Sequence, residues 1–252
     1  MNEAAINYAL IILLIGVSII LVMLIRSGLR RIGIPSIVGF ILLGFLIRIT
    51  GEQFGILSKT STEIFELFAK LGIIILLFRI GLESNISGMI HQLRNAGLLG
   101  FSVAIGAFFA GLVFSRDPKS VKIDTSFETL FEFFSPFFFI GIGLNIAPNS
   151  VTASIGIGVI LLMAAVVGKL IGHGAPAAIT GGWISFALIG FSMVPRAEIA
   201  MIILQHGQEL GQWAVPPEVF TAMVFVTALT CIFSPLIIRS FLEKWPQNEG
   251  AE

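Results

Sequence analysis

Ile179–His206 reads ITGGWISFALIGFSMVPRAEIAMIILQH, an apolar stretch of 28 residues interrupted near its middle by Pro195-Arg196-Ala197-Glu198. A straight helix of that length would reach roughly 42 Å, at about 1.5 Å per residue, against roughly 30 Å of hydrocarbon. Proline removes a backbone donor and breaks the ladder, and two charges sit where lipid would expel them. A broken helix with charge at membrane depth is the usual build of an ion or substrate site in a secondary transporter. The spacing therefore predicts irregular or sharply kinked backbone near 193–198.

The rest of the chain sets this segment in a membrane. Hydrophobic residues make up 56% of the 252 and charged residues 12%, with a mean hydropathy of +0.99. A soluble domain carries about 25% charged residues, so the chain is an all-α polytopic membrane protein. Fifteen basic and fifteen acidic residues cancel, and the balance points to no nucleic-acid partner and no acidic lipid surface. The one cysteine, Cys231, lies in an apolar run and excludes an internal disulfide framework. Met1–Tyr8 carries Glu3 and no basic residue, so the first apolar run is expected to stay as a span.

Runs long enough to cross are Ile6–Ile25, Gly33–Ile49, Ile64–Leu82, Ala96–Phe114, Phe127–Ile146, Val151–Ile171, the broken Ile179–His206, and Phe220–Leu242. That is a bundle of about eight spans. The runs are continuous and lack the alternation of a membrane barrel. The longest polar stretches, Thr50–Glu63 and Ser115–Ser126, are expected to be loops too small for a folded domain. Ser102, Gly106 and Ala110 recur every four residues, a spacing that lets another backbone approach. Pro136, followed by Gly141 and Gly143, predicts a kink in its helix.

Charge bias sets a conflict. Arg26, Arg30 and Arg31 argue for a cytoplasmic first loop, and Arg116, Lys119 and Lys122 argue the same of the fourth. If every span crosses, those loops lie on opposite faces. Either one span is miscounted, or an odd number of helices is absent between them.

Five segments resemble, in order, the monovalent cation:proton antiporter-2 family, the bacterial sodium/proton and potassium/proton exchangers. Ile32-Gly33-Ile34-Pro35 through Leu43-Gly44 looks like the family's second helix. Leu71-Gly72-Ile73 through Gly81-Leu82-Glu83 looks like its third. Gly106–Gly111 and Pro136–Leu144 are similar to markers of its second half. Pro195-Arg196-Ala197-Glu198 matches its Pro-Arg-Gly-Glu, with alanine in place of glycine. The resemblance covers nearly the whole chain and implies a sodium- or potassium-for-proton exchanger in the inner cell membrane. It implies no prosthetic group or other cofactor and, by the family's habit, a homodimer; the sequence shows no nucleophile–base pair or metal cluster, so enzyme chemistry is not expected.

Members of that family usually carry twelve or thirteen helices. Here His91-Gln92-Leu93-Arg94-Asn95 runs straight from the third-helix marker into a late one. The chain reads as an N-terminal three-helix part of an antiporter domain, 1–95, joined to a C-terminal part, 96–252, that holds the broken helix 179–206. The omitted part is where the family carries its first unwound helix and its ion-binding aspartates. Only two aspartates exist here, Asp117 and Asp124, both in the polar stretch before the fifth span.

The ion- or proton-coupling candidates are Glu198, Lys169 and Arg196. Glu198 is the acidic residue expected near the bilayer midplane. It is either an ion or proton contact at the break, or the structural partner of Arg196 or Lys169. Arg196 does not give up its proton and suits tying down freed carbonyls. Lys169 is third from the end of its predicted span, where snorkelling would explain it; the resemblance implies instead a charge-pairing role facing the missing aspartate. Arg79 and Glu83 are spaced to pair along one helix face, although the family leads one to expect a small or apolar residue at Arg79. His91 and His173 stand alone near span ends, so no metal site is expected. Two other readings compete with transport: a shortened paralogue acting as a membrane partner, and an internally deleted gene product.

Overall fold

The computed structural model describes residues 3–55, 57–84, 103–115, 120–195 and 198–245. Among them there is no strand. The α-helices are α1 (Glu3–Arg31), α2 (Ser36–Phe54), α3 (Lys59–Glu83), α4 (Val103–Phe114), α5 (Ser120–Leu144), α6 (Val151–Lys169), α7 (Ala175–Ser192), α8 (Glu198–Glu209) and α9 (Pro217–Lys244). A 3₁₀ turn, Pro148–Ser150, precedes α6, and a π-helical turn, Leu170–Gly174, joins α6 to α7.

The described residues of each unbroken expected span lie mainly on one of these helices, and those of the broken span on α7 and α8; 96–102 lie outside the described residues. Among the described residues five helical stretches are long and apolar enough to cross a bilayer: Ile11–Arg31, Ser36–Phe54, Phe127–Leu144, Pro148–Ile179 and Pro217–Lys244. Helix α3 has the length, but carries Glu66, Lys70 and Arg79 within its apolar run. The chain is an all-α, multi-pass membrane helix bundle.

The polar stretches are shorter as loops than the sequence suggested. Helix α2 runs on to Phe54, α3 begins at Lys59 after its N-cap Ser58, and α5 begins at Ser120. The helical ladder thus continues beyond the apolar windows into segments that carry charged residues. Asp124 is therefore helical, on α5, ahead of the apolar window that starts at Phe127. Helix α5 passes Pro136 as one helix.

The chain divides into two compact units. One comprises Met1–Ile11 and Thr50–Gly141, the other Ile12–Ile49 and Ile142–Glu252.

In the first unit α3 is the hub. A Cβ at Gly72 would press on the Phe134 carbonyl and Phe138 of α5, so the two backbones nearly touch there. Phe68 stacks on Phe137 at 5.0 Å between ring centroids, and Phe78 packs on Phe127 at 4.9 Å. On another side α3 meets α4 glycine to glycine. A side chain at Gly81 would strike the Phe108 carbonyl, and one at Gly111 the Phe78 carbonyl. The close seam is thus Gly81 with Gly111. Gly106, placed on such a seam by its spacing with Ala110, meets nothing within 4 Å and is exposed with Ala110; Ser102 lies outside the described residues. Spacing alone cannot say which small-residue stripe finds a partner.

Arg79, the residue the family pattern did not lead one to expect, is accounted for in this unit. Its Nε lies 3.0 Å from Glu83 Oε1, its Nη1 lies 3.3 Å from Glu128 Oε1 on α5, and its guanidinium sits 4.1 Å over the Phe131 ring. It ties α3 to α5 rather than snorkelling alone.

In the second unit α1 turns into α2 through Gly33, whose φ of +73° is open to glycine at little cost. Arg48 of α2 donates to the Leu144 carbonyl at 2.9 Å, so a cation caps the C-terminal end of α5. Helices α6 and α9 pack with their first turns together. Ser154 Oγ donates between the carbonyls of Ser150 (2.5 Å) and Glu218 (2.9 Å), and Ser150 Oγ pairs with Thr221 Oγ1 at 2.8 Å.

Candidate functional site at the helix break

The break arises as its sequence dictates. Helix α7 ends at Ser192, Met193 forms a turn, and Val194 and Pro195 are not helical. Helix α8 restarts at Glu198, so no straight helix runs from Ile179 to His206. The last carbonyls of α7 are gathered in. Ile189 accepts from the Met193 amide (3.2 Å) and the Ser192 hydroxyl (2.9 Å), and Phe191 accepts from the Val194 amide (3.2 Å). Phe191 also accepts from Ser234 Oγ of α9 at 2.5 Å. Carbonyls released by a break inside lipid need such donors, and a hydroxyl from a neighbouring helix supplies one.

The other end of the same stretch differs from the expectation. The predicted loop between Ile171 and Ile179 is helical: α6 passes through the π turn into α7. The wide turn stands just before Pro176, which has no N–H to give and whose ring crowds the carbonyl four residues back. The chain reverses instead at Gly182, with φ of +69°. Gly174 then lies against Phe186, and Gly190 against Leu170 and Gly174. These pairs define an antiparallel helical hairpin with its turn near residue 180.

That register relocates Lys169. The helix continues to Ile179, about 15 Å beyond Lys169 at 1.5 Å per residue. Counting back from the turn, Lys169 is level with Phe191, beside the break. It is half-buried, and among the described residues it makes no ion pair. Glu198 is half-buried as the first residue of α8, where the helix dipole favours a carboxylate. It acts electrostatically on the buried Cys231 of α9. Arg196 lies outside the described residues. The π turn carries His173 exposed, and His91 also lies outside the described residues.

The fold thus brings Lys169 to the level of the break and sets Glu198 on its far side. Ser234 and Cys231 complete the surroundings and were missed by sequence reasoning. Their signal was the row Thr227, Thr230, Ser234 at helical spacing in the last apolar run; all three are buried. Chemically, a helix C-terminus and a helix N-terminus that starts on a carboxylate flank the break, and a carboxylate at a helix N-terminus can take up a proton or face a cation.

Comparison with known proteins bears on this site. The profile of the transmembrane sodium/hydrogen exchanger family matches the chain in two segments, residues 16–101 and 95–244. A Na(+)/H(+) antiporter of Enterococcus hirae is 34% identical over 151 residues, 59% of this chain and 39% of that protein. The Na(+)/H(+)-K(+) antiporter GerN of Bacillus cereus is 37% identical over 144 residues, 56% of this chain and 37% of that protein. A probable Na(+)/H(+) antiporter, GerT, from the same organism is 32% identical over 146 residues, 57% of this chain and 38% of that protein. The match spans under two-fifths of the length of each of these relatives.

Proposed function

The chain belongs to the transmembrane sodium/hydrogen exchanger family, and from that premise we propose that it is a membrane component of a monovalent cation:proton antiporter, impaired when isolated. Its cations are sodium or potassium, exchanged for protons across the inner cell membrane. Carrying this reading is the broken helix: a family segment with a carboxylate at the restart and a lysine level with the stop. Glu198 is the ion- or proton-coupling group in this proposal. Lys169 tunes its field, and Arg196 steadies the break.

Impairment follows from electrostatics. An antiporter must neutralise its cation in a low-dielectric site, and an uncompensated ion there costs at least several kcal/mol. The only aspartates, Asp117 and Asp124, precede the apolar window of α5. In this proposal Glu198, the carboxylate at the break, is the substitute, and the positive charges of Arg196 and Lys169 compete with a transported cation for it. The two matched segments, meeting at 95–101, support a junction between parts 1–95 and 96–252. The same observation favours a second reading, a shortened paralogue that acts as the membrane partner of a complete antiporter.

The test is proton flux in everted vesicles from a strain without its own antiporters, with sodium, lithium and potassium added in turn. The isolated chain is expected to leave the pH gradient at the empty-vector level. Cation-dependent loss of the gradient, abolished by Glu198→Gln, would overturn the impairment. Co-expression with a complete relative separates the second reading: altered flux of that relative supports a partner role, and unchanged flux removes it.

A further inference from the structure

We propose that the C-terminal end of α9 and the helix break form a binding cleft for a zwitterionic phospholipid with a primary-amine headgroup. The cleft has a volume of about 600 Å³ and is lined by Pro195, Ser234, Ile238 and Leu242, together with Arg239 and Glu243. Its walls are mainly apolar, which suits an acyl chain.

Three observations identify the occupant. The first is position. Helix α9 has 28 residues, roughly 42 Å against roughly 30 Å of hydrocarbon, so an end of it stands among headgroups. Arg239, Glu243, Lys244 and Trp245 mark that end, and Trp245 rests against Phe241 with 5.4 Å between ring centroids.

The second is charge. Arg239 Nε and Glu243 Oε1 lie 3.1 Å apart, a plus–minus pair among the residues that line the cleft. It is complementary to a phosphate beside an ammonium group. An anionic headgroup would satisfy the arginine and repel the glutamate. A quaternary ammonium would meet Glu243 without a hydrogen to donate. A primary amine donates to it while the phosphate accepts from Arg239.

The third is availability. The two side chains are 78% and 67% exposed, and such an exposed pair is worth only about 0–1 kcal/mol, so both groups exchange partners at low cost. Pro195, at the helix break, is among the residues that line the cleft, so a lipid held there would touch the break. This proposal stands independently of whether the chain transports.

Native mass spectrometry of the purified full chain tests it, with phosphatidylethanolamine, phosphatidylcholine and phosphatidylglycerol of matched acyl chains in competition. Phosphatidylethanolamine should be retained several-fold over the other two. Glu243→Gln should erase its advantage over phosphatidylcholine, and Arg239→Ala should lower retention of both zwitterionic lipids. Free phosphoethanolamine should not displace the lipid, since the tails supply much of the contact. Equal retention of all three lipids by the unaltered chain would overturn the proposal, as would a preference for phosphatidylglycerol. Displacement by phosphoethanolamine would overturn the lipid assignment. The wild-type competition decides even if a variant fails to fold.

Discussion

Around α3, α4 and α5 the helices meet glycine to backbone and ring to ring, with charge at the edge. Around α9, which packs on α6 and α7, they meet through hydroxyls that bond to one another and donate to carbonyls. Each arrangement answers the same problem, since lipid offers helices no hydrophobic drive to associate. Close backbone contact gains dispersion over many atoms, but tolerates no added atom. Hydroxyl bonds are worth about 0.6 kcal/mol each in membrane helices, so they hold register and exchange readily. The second region contains the broken helix.

The largest expected effect breaks the glycine seam. Gly111→Leu would drive a side chain into the Phe78 carbonyl, and overpacking of this kind costs about 1–3 kcal/mol or more. Unfolding in a denaturing-detergent titration should shift to a clearly lower midpoint, while Gly106→Leu leaves it in place. Equal shifts would mean that the seam is not where the glycines meet.

A smaller effect probes the hydroxyl joint. Ser234→Ala removes the side-chain donor to the Phe191 carbonyl and should destabilise by about 0.6 kcal/mol, at most about 1.7. Amide exchange should quicken at Val194, which shares that carbonyl, more than in the first turns of α6. Uniform change along both would dissolve the contrast between a local joint and a rigid frame.

The smallest concerns the charged edge. Arg79→Met loses two part-exposed ion pairs and a ring contact, and such surface pairs are worth about 0–1 kcal/mol each. The titration midpoint should fall by less than for Gly111→Leu, and the gap from wild type should narrow with added salt. A loss as large as that at the seam would make Arg79 a principal tie between α3 and α5.

Much of this protein was legible in the chain alone. Continuous apolar runs and the scarcity of charge determine a helical membrane bundle, because lipid requires every backbone group to be satisfied within a segment. Pro195 determines the break, because a missing donor is a local fact. The tertiary structure decided what depends on partners distant in sequence. It alone selected Gly81 and Gly111 over Gly106 as the seam, since periodicity describes one helix and a seam needs two. It carried the helix past Lys169 through a π turn to Ile179, and so set the lysine beside the break, because the reversal depends on Gly182 adopting a positive φ and on Gly174 meeting Gly190. It brought Ser234 to the Phe191 carbonyl, 43 residues away along the chain. Local chemistry announces where a helix must stop; only packing decides which distant hydroxyl receives its free end.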